Sequence, residues 1–163
     1  MVFETSQNVI PPVEPPRGRF PARLDDKGRL KLPVPFAQYF NALPEKKLFV
    51  TSLDGVTAQI YPIAAWRDNE KFFLNYTEDP EAAADVLFTA NDLGAEAEVD
   101  GQGRLTVNTE LRRTLEMEDT PLHVYAFRGR VEVLTEAQYQ VRKRRAGTTP
   151  TEKVTKLERA GLK

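Results

Sequence analysis

The chain has 163 residues, of which 40% are hydrophobic and 29% are charged, and its formal net charge is −1. These values are ordinary for a globular protein, and no apolar run approaches the roughly 18 residues of a spanning helix, so a disordered or membrane-embedded chain is excluded. There is no cysteine and only one histidine, His123, so thiolate zinc sites and thiol nucleophiles are excluded and we expect no cofactor or metal.

The charge is distributed unevenly along the chain. Residues 142–163 hold eight of the 23 basic residues and two of the 24 acidic ones, whereas residues 78–100 hold eight acidic residues and no Lys or Arg. A further group of basic side chains lies near the start, between Arg17 and Lys31. A near-neutral total therefore does not exclude a polyanionic partner, because local patches decide such binding.

The first 16 residues include four prolines and no apolar segment of the kind that follows the basic start of a secretion signal. We expect residues 1–16 to form a flexible extension and the protein to be cytoplasmic. Residues 20–32 then alternate apolar and polar side chains on both sides of Asp25-Asp26-Lys27-Gly28-Arg29, which predicts two strands joined by a tight turn. Gly28 suits the reversal because it accepts a positive φ, and the Asp25 carboxylate can accept backbone N–H bonds there.

The rest of the first unit, predicted to span residues 17–77, reads as a short helix over 36–42, a β-rich run over 48–61 and a helix that carries Trp66. A linker helix is predicted over residues 78–94. It starts near Asp79-Pro80, because proline is tolerated in a first turn, and its apolar side is expected to hold Ala82, Val86 and Leu87.

The same order recurs 75 residues later. Asp100, Gly103 and Arg104 repeat Asp25, Gly28 and Arg29, and they are followed by a helix over 109–115, a β-rich run over 122–134 and a helix carrying Tyr139. A second unit is therefore predicted over residues 95–145, with a flexible basic tail over 146–163 in which residues 154–160 could form an amphipathic turn or two against a partner. The fold class is mainly β with short helices, built from two copies of one unit.

The repeated arginine carries the functional argument. Its planar group of N–H donors suits phosphate oxygens and the guanine edge in the major groove of DNA. The alternative is that Arg29 pairs with Asp25 or Asp26, and Arg104 with Asp100, simply to stabilise the turns. Residue types alone leave both interpretations open.

The ordered set of motifs resembles the MraZ family over residues 17–139. The residues that carry the resemblance are Arg17-Gly18, Leu24-Asp25-Asp26-Lys27-Gly28-Arg29-Leu30, Pro33, Tyr61-Pro62 with Trp66, Asp100-Gly101-Gln102-Gly103-Arg104-Leu105, and Leu111-Arg112. The resemblance implies a pseudo-twofold tandem pair of AbrB-like swapped-hairpin units, each forming half of one barrel. It also implies a ring of many subunits that binds direct repeats upstream of the division and cell-wall gene cluster containing its own gene, mainly as a repressor associated with the nucleoid.

By the same resemblance the first turn faces double-stranded DNA, so Lys27 and Arg29 are the leading contact residues. Arg104 is their counterpart in the second turn, and Arg23 and Arg17 extend the basic patch. The second copy has Gly101-Gln102 where the first has Asp26-Lys27, so its turn is expected to contact DNA less strongly. The basic run 142–145 could bind phosphates nonspecifically, or it could be an ordinary solvated helix end.

Two other classes of function are weighed against DNA binding. An enzyme needs a nucleophile with a base, a metal cluster or paired carboxylates in a cleft, and the sequence shows no such set, with His123 placed in a strand run. We therefore expect no catalysis, no small-molecule substrate and no membrane partner. An oligomeric interaction scaffold, or an antitoxin-like binder of a protein partner, stays open as the alternative, because it would suit the acidic linker.

Overall fold

The structure is a computed structural model that describes residues 13–163, so residues 1–12 of the predicted extension lie outside it. Within that range the chain forms eight strands and six helices. The strands are β1 (Phe20–Ala22), β2 (Arg29–Lys31), β3 (Leu48–Thr51), β4 (Ala58–Pro62), β5 (Ala95–Ala97), β6 (Arg104–Thr106), β7 (Leu122–Phe127) and β8 (Arg130–Thr135). The helices are α1 (Val34–Ala42), α2 (Ile63–Asn75), α3 (Pro80–Leu93), α4 (Thr109–Thr114), α5 (Glu136–Ala146) and α6 (Pro150–Arg159).

All strand pairs are antiparallel and fall into two sheets. One has six strands in the order β1-β7-β8-β4-β3-β5, and the other is a two-stranded ribbon of β2 and β6. The predicted class of mainly β structure with short helices is confirmed. The barrel that the family resemblance implies is not closed, because the strands of residues 13–163 form two separate sheets that share no strand pair.

The two copies exchange strands. The hairpin β3–β4 belongs to the first copy, yet β3 also pairs with β5 of the second, and β7 of the second copy pairs with β1 of the first. The registers at the centre are symmetric, because Leu30 lies opposite Leu105 in the ribbon and Gln59 lies opposite Glu132 between β4 and β8. An approximate twofold axis through these two pairs therefore relates the copies.

One apolar cluster lies between the sheets and is shared by both copies. Its members come in matching pairs along the chain, since Leu30 and Leu105 are both fully buried, as are Phe36 and Leu111. Helix α1 presents Phe36 and Phe40 one turn apart, so both reach the core from one face. Because each copy supplies about half of the cluster, burial of either half depends on the other.

A smaller cluster joins α2 and α3 to the outer face of the six-stranded sheet, with Trp66 packed between Phe49 and Tyr61. Helix α3 starts as predicted, with the Asp79 carboxylate accepting the Ala82 N–H at 3.0 Å. Its buried residues are Ala83, Ala90 and Leu93, and Ala82 is exposed, so the predicted apolar face was displaced by about one residue. The sequence pattern missed this because small alanines carry little hydrophobic contrast.

The C-terminal residues also differ from expectation. The predicted second unit ends at residue 145, next to the last residue of α5. Helix α5 begins with a capping box between Thr135 and Gln138. The tail predicted to follow it contains a further helix, α6. Helix α6 has no buried residue, so it forms from local propensity without a core-facing side. Among the helices of residues 13–163, none combines the length and apolar character needed to cross a bilayer.

Candidate nucleic-acid interface

Each repeated motif forms the same tight turn. In loop 1 (residues 25–29) the Asp25 N–H donates to the Arg29 carbonyl at 2.8 Å, and the Gly28 N–H donates to the Asp25 carbonyl at 3.1 Å. The Asp25 carboxylate also accepts the N–H groups of Lys27 and Arg29, both at 2.9 Å. Gly28 has φ +76°, so the glycine is required by the backbone as predicted.

Loop 2 (residues 100–104) repeats this network bond for bond. The Asp100 carboxylate accepts the N–H groups of Gln102 and Arg104, both at 2.9 Å, and Gly103 again has φ +76°. The two turns thus share one geometry although their central residues differ. Asp25, Gly28, Asp100 and Gly103 form the turns as the sequence predicts.

The turn bonds act on the carboxylate that accepts them. Hydrogen bonding lowers the pKa of Asp25 to about 2, with the backbone N–H of Arg29 as the largest cause and the Arg29 side chain and Lys27 N–H adding to it. The pKa of Asp100 is lowered too, chiefly by the backbone N–H of Arg104. Both carboxylates are therefore ionised at neutral pH, and each turn is held by charge-assisted bonds.

The ribbon carries both loops, one at each end. Leu30 and Leu105 point into the core, so the residues that alternate with them face outward. Those outward residues are Arg29 opposite Thr106 and Lys31 opposite Arg104. Like charges directly opposite each other are unfavourable in a sheet, so the Lys31–Arg104 pair marks a surface suited to an anion.

The arginines of the two loops are oriented by the aspartates. Arg29 Nε donates to Asp25 Oδ2 at 2.7 Å, and Arg104 Nε donates to Asp100 Oδ2 at 2.9 Å. The ion pairs of the alternative interpretation therefore exist. They occupy one N–H of each guanidinium, and no residue from 13 to 163 accepts a hydrogen bond from the terminal nitrogens. The ion pair holds each guanidinium group in place and leaves its terminal N–H groups for another acceptor.

Different cations lie under the two loops. Arg112 of α4 packs against Gly28, and a Cβ built there would lie 2.2 Å from its Nη1, which donates to the Val107 carbonyl at 2.9 Å. At the matching position of α1 stands Ala37, and Lys31 instead reaches the Gln102 carbonyl of loop 2. The Arg112 side chain is 17% exposed and its Nε has no hydrogen-bond partner within the described residues. Loop 1 therefore has a half-buried arginine behind it, which is 3.9 Å from the Glu118 carboxylate, whereas loop 2 is contacted by the exposed Lys31.

The remaining predicted contact residues surround loop 1. Lys27 lies at its tip and is exposed, as is Arg23, which precedes the loop and accepts the Lys31 N–H through its carbonyl. Arg17 lies further back on the chain, 3.3 Å from Glu14 in an exposed ion pair. The structure thus places Lys27, Arg29 and Arg23 in one hairpin, whereas the Arg17 side chain pairs with Glu14 and with none of these three.

Two residues of this surface were not singled out as contact or support candidates, although Lys31 belongs to the basic group noted near the start of the chain. Lys31 shares the outward face of β2 with Arg29, and the period-two pattern around Leu30 could have revealed this. Arg112 entered only as part of the family pattern, since nothing local shows that it contacts a glycine 84 positions away. Both strengthen the positive charge at the ribbon.

His123 lies in β7 as predicted and is buried within a small polar cluster. Its Nε2 is 2.7 Å from Glu136 Oε1 and its Nδ1 is 2.8 Å from Arg19 Nη1, while Tyr139 stacks on the ring. Because Arg19 can only donate, Nδ1 is the acceptor and Nε2 carries the proton. This arrangement ties the start of β1 to α5. Across residues 13–163 no three acidic or histidine side chains converge as metal ligands.

No family model matches the chain, but curated relatives do. A protein of Acidobacterium capsulatum named "Transcriptional regulator MraZ" is 35% identical over 101 residues, which are 62% of this chain and 69% of the relative. A protein of Koribacter versatilis with the same name is 32% identical over 126 residues, 77% of this chain and 79% of the relative. One from Shewanella loihica, again so named, is 31% identical over 100 residues, 60% of this chain and 64% of the relative.

Proposed function

The chain belongs to the MraZ family, and on that premise we propose that it is a transcriptional regulator that binds double-stranded DNA through the β2–β6 ribbon. The observation that supports the proposal is the outward face of the ribbon, where Arg29, Lys31 and Arg104 lie together and the two arginines keep their terminal nitrogens unbonded within residues 13–163. A two-stranded ribbon fits the major groove, and arginine forks match both phosphate and guanine.

The two loops contribute unequally to DNA recognition. Loop 1 has Lys27 at its tip next to Asp26, with Arg23 beside it and Arg112 behind it, so it has more basic side chains around it than loop 2, whose tip is Gly101-Gln102 and which only Lys31 reaches. We assign the stronger DNA contact to loop 1, with Arg29 as its central residue. Arg104 makes the weaker contact, because loop 2 adds no tip cation of its own.

The finer parts of the proposal follow the family resemblance. The protein represses the division and cell-wall gene cluster and its own gene, and it binds direct repeats as a ring-shaped homo-oligomer on the nucleoid. A three-residue ribbon covers a small footprint, so several subunits on successive repeats are needed for useful affinity. The function is binding, not catalysis, as the names of the relatives suggest.

The proposal is tested by fluorescence anisotropy with the DNA upstream of the gene and a scrambled duplex, at two salt concentrations. We expect the wild type to prefer the upstream DNA and to lose affinity as salt rises, because phosphate contacts release counterions. Equal or absent binding to both duplexes would contradict the proposal.

The role of Arg29 is tested by Arg29→Ala, which should abolish the preference for upstream DNA while the oligomer stays intact. Arg67→Ala is the matched control, because Arg67 also pairs with a carboxylate, Glu45 at 2.7 Å, but lies on α2. Loss of one bidentate base contact corresponds to about 1–3 kcal/mol per subunit. Unchanged discrimination by Arg29→Ala, with sedimentation confirming the oligomer, would remove Arg29 from the interface.

An oligomeric scaffold for a protein partner is the second candidate, and one observation favours it. Phe72 and Leu74 at the end of α2 and Phe88 on α3 are 57%, 82% and 70% exposed, which gives this end of the molecule an apolar surface. Salt separates the candidates, since an apolar interface strengthens or holds when salt rises, whereas duplex binding weakens.

A further inference from the structure

The C-terminal basic arm, defined here as residues 142–163, lies outside the core. It comprises the end of α5, a short connection and α6, and within it only Thr155 is even partly buried. The connection is bent at Thr149, whose φ of 45° is in the left-handed region, and Lys153 Nζ donates to the Arg145 carbonyl at 3.3 Å. The arm is therefore a short helical projection with its side chains in solvent.

The charges of the arm are uncompensated. Eight basic and two acidic residues occupy it, and none of the eight basic side chains lies within ion-pair distance of a carboxylate of residues 13–163. Seven of the 15 Lys and Arg residues before the arm do form such pairs. A surface on which every cation lacks a carboxylate partner, where about half of those elsewhere have one, favours an external polyanion.

Helix ends account for only part of this charge. Lys143, Arg144 and Arg145 lie in the last turn of α5, where cations interact favourably with the helix dipole. Arg142 lies before that turn, and Lys153 lies near the start of α6, where a cation is unfavourable. Arg142 and Arg145 are also three positions apart and repel each other. Stabilisation of α5 and α6 therefore does not explain where the basic residues of the arm lie.

The apolar residues of α6 identify the class of polyanion. Its exposed apolar side consists of Val154 and Leu157, and the helix has no aromatic residue. Helices that lie in a membrane interface carry a broad apolar face of Trp, Phe or Leu, whereas α6 exposes one Leu and one Val, so an anionic lipid surface fits poorly. Phosphates of a duplex need only exposed cations, and Lys and Arg supply those contacts without reading sequence.

We infer that the C-terminal basic arm is a second DNA contact, which holds the phosphate backbone without regard to sequence while the ribbon reads the operator. This inference rests on the proposed function, since it assigns the arm to the same duplex. It predicts a separation of roles in which the ribbon sets the preference between sequences and the arm adds affinity equally to all of them.

The test uses the full chain and a fluorescein-labelled scrambled duplex, with the upstream duplex measured in parallel. The arm variant replaces Arg144, Arg145, Lys153 and Lys156 with Gln, and the control variant makes the same change of net charge at Lys46, Lys47, Arg67 and Lys71. A second arm variant, with residues 148–163 deleted, removes α6 without touching the core. We expect both arm variants to lose about tenfold or more in affinity for either duplex, with an unchanged ratio between them.

The salt dependence gives a second readout. Four lost phosphate contacts lower the log–log slope by up to about 3.6 in magnitude, whereas the control variant keeps the wild-type slope. Arm variants that match the control variant in affinity and slope would overturn the inference and leave the proposed function standing. A wild type that binds neither duplex would overturn both. Arm-dependent binding to phosphatidylserine vesicles with unchanged DNA affinity would assign the arm to a membrane instead.

Discussion

At the scale of single residues, the two aspartates of the loops have a double role. Each closes a turn through backbone N–H bonds and holds an arginine fork through one N–H, so the same carboxylate sets the backbone and aims the side chain. The ion pair and the DNA contact, which sequence alone presents as alternatives, are compatible in this geometry. The Asp–Arg pair limits the freedom of the fork before any partner arrives, which lowers the entropy cost of binding.

The aspartate in loop 1 gives the stability of the protein a dependence on acid pH. The pKa of Asp25 is about 2 in the folded protein and about 3.9 in an unfolded chain, so its contribution is full above about pH 5 and is lost as the pH falls toward 2. We expect the difference in free energy of unfolding between wild type and Asp25→Asn to be constant above about pH 5 and to shrink below pH 4. Urea unfolding at a series of pH values measures it.

Asp26→Asn is the matched control for this pH series, because the neighbouring Asp26 carboxylate accepts no hydrogen bond from residues 13–163. Its free energy of unfolding should stay close to that of the wild type, because the substitution removes no turn bond. A difference for Asp25→Asn that persists unchanged down to pH 2 would show that its ionised form is not favoured by folding.

The two loop glycines provide a matched pair. Both have φ +76°, but a Cβ at Gly28 meets the Arg112 guanidinium at 2.2 Å, whereas a Cβ at Gly103 finds Lys31 Nζ at 3.4 Å. We expect Gly103→Ala to cost about 1–2 kcal/mol from backbone strain and Gly28→Ala to cost about 1 kcal/mol more, as Arg112 loses its bond to Val107. Urea unfolding measures both, and in an Arg112→Ala background the difference between the two variants should vanish.

At the scale of elements, the structure shows which features are set by residues close together in the sequence. The turns, the start of α3 and the start of α5 depend on residues within five positions of one another. The sequence predicts the turns and the start of α3 near Asp79-Pro80, and it predicts the helix that carries Tyr139 without its capping box. Helix α6 was predicted only as an amphipathic turn or two over residues 154–160 in contact with a partner, because apolar periodicity reports burial and this solvent-exposed helix buries no residue. The face of α3 was misplaced for a related reason, since its buried positions are mostly alanines.

The cap of α3 gives a prediction at this scale. Asp79→Ala removes the acceptor of the Ala82 N–H and a negative charge at the helix start, so we expect a loss of about 0.5–2 kcal/mol in the free energy of unfolding. Asp92→Ala, near the other end of α3, removes an exposed carboxylate where the helix dipole disfavours it, and it should be neutral or slightly stabilising. Equal losses in the two variants would show that the cap contributes nothing specific.

At the scale of the whole molecule, the exchange of strands is the feature that sequence could not supply. The repeat itself is visible at a fixed offset, but the pairing of β1 with β7 and of β5 with β3 joins residues far apart in the chain. The candidate site divides in the same way, since Arg29 and Lys27 belong to a recognisable turn while Arg112 reaches it through the fold. The turn residues are predictable from the sequence, whereas the residues that pack against the turn are set by contacts between distant parts of the chain.

Cutting the chain after Leu93 separates the copies and gives a test of this exchange. Fragment 1–93 keeps β1 without β7, and fragment 94–163 keeps β5 without β3, while both lose half of the shared core. We expect neither fragment to unfold cooperatively as a monomer in circular dichroism, and a mixture of the two to recover the transition. A cooperative transition in either monomeric fragment would show that the copies fold independently.

Different side chains pack against the two loops, so the two ends of the ribbon are chemically different. A dimer of identical units is the same from either end and suits a palindromic site, in which one half-site mirrors the other. Here Arg112 lies under one loop and Lys31 reaches the other, so turning the molecule by half a rotation does not superimpose its chemistry. Under the proposed function, this asymmetry suits head-to-tail copies of one asymmetric DNA sequence better than a palindromic site.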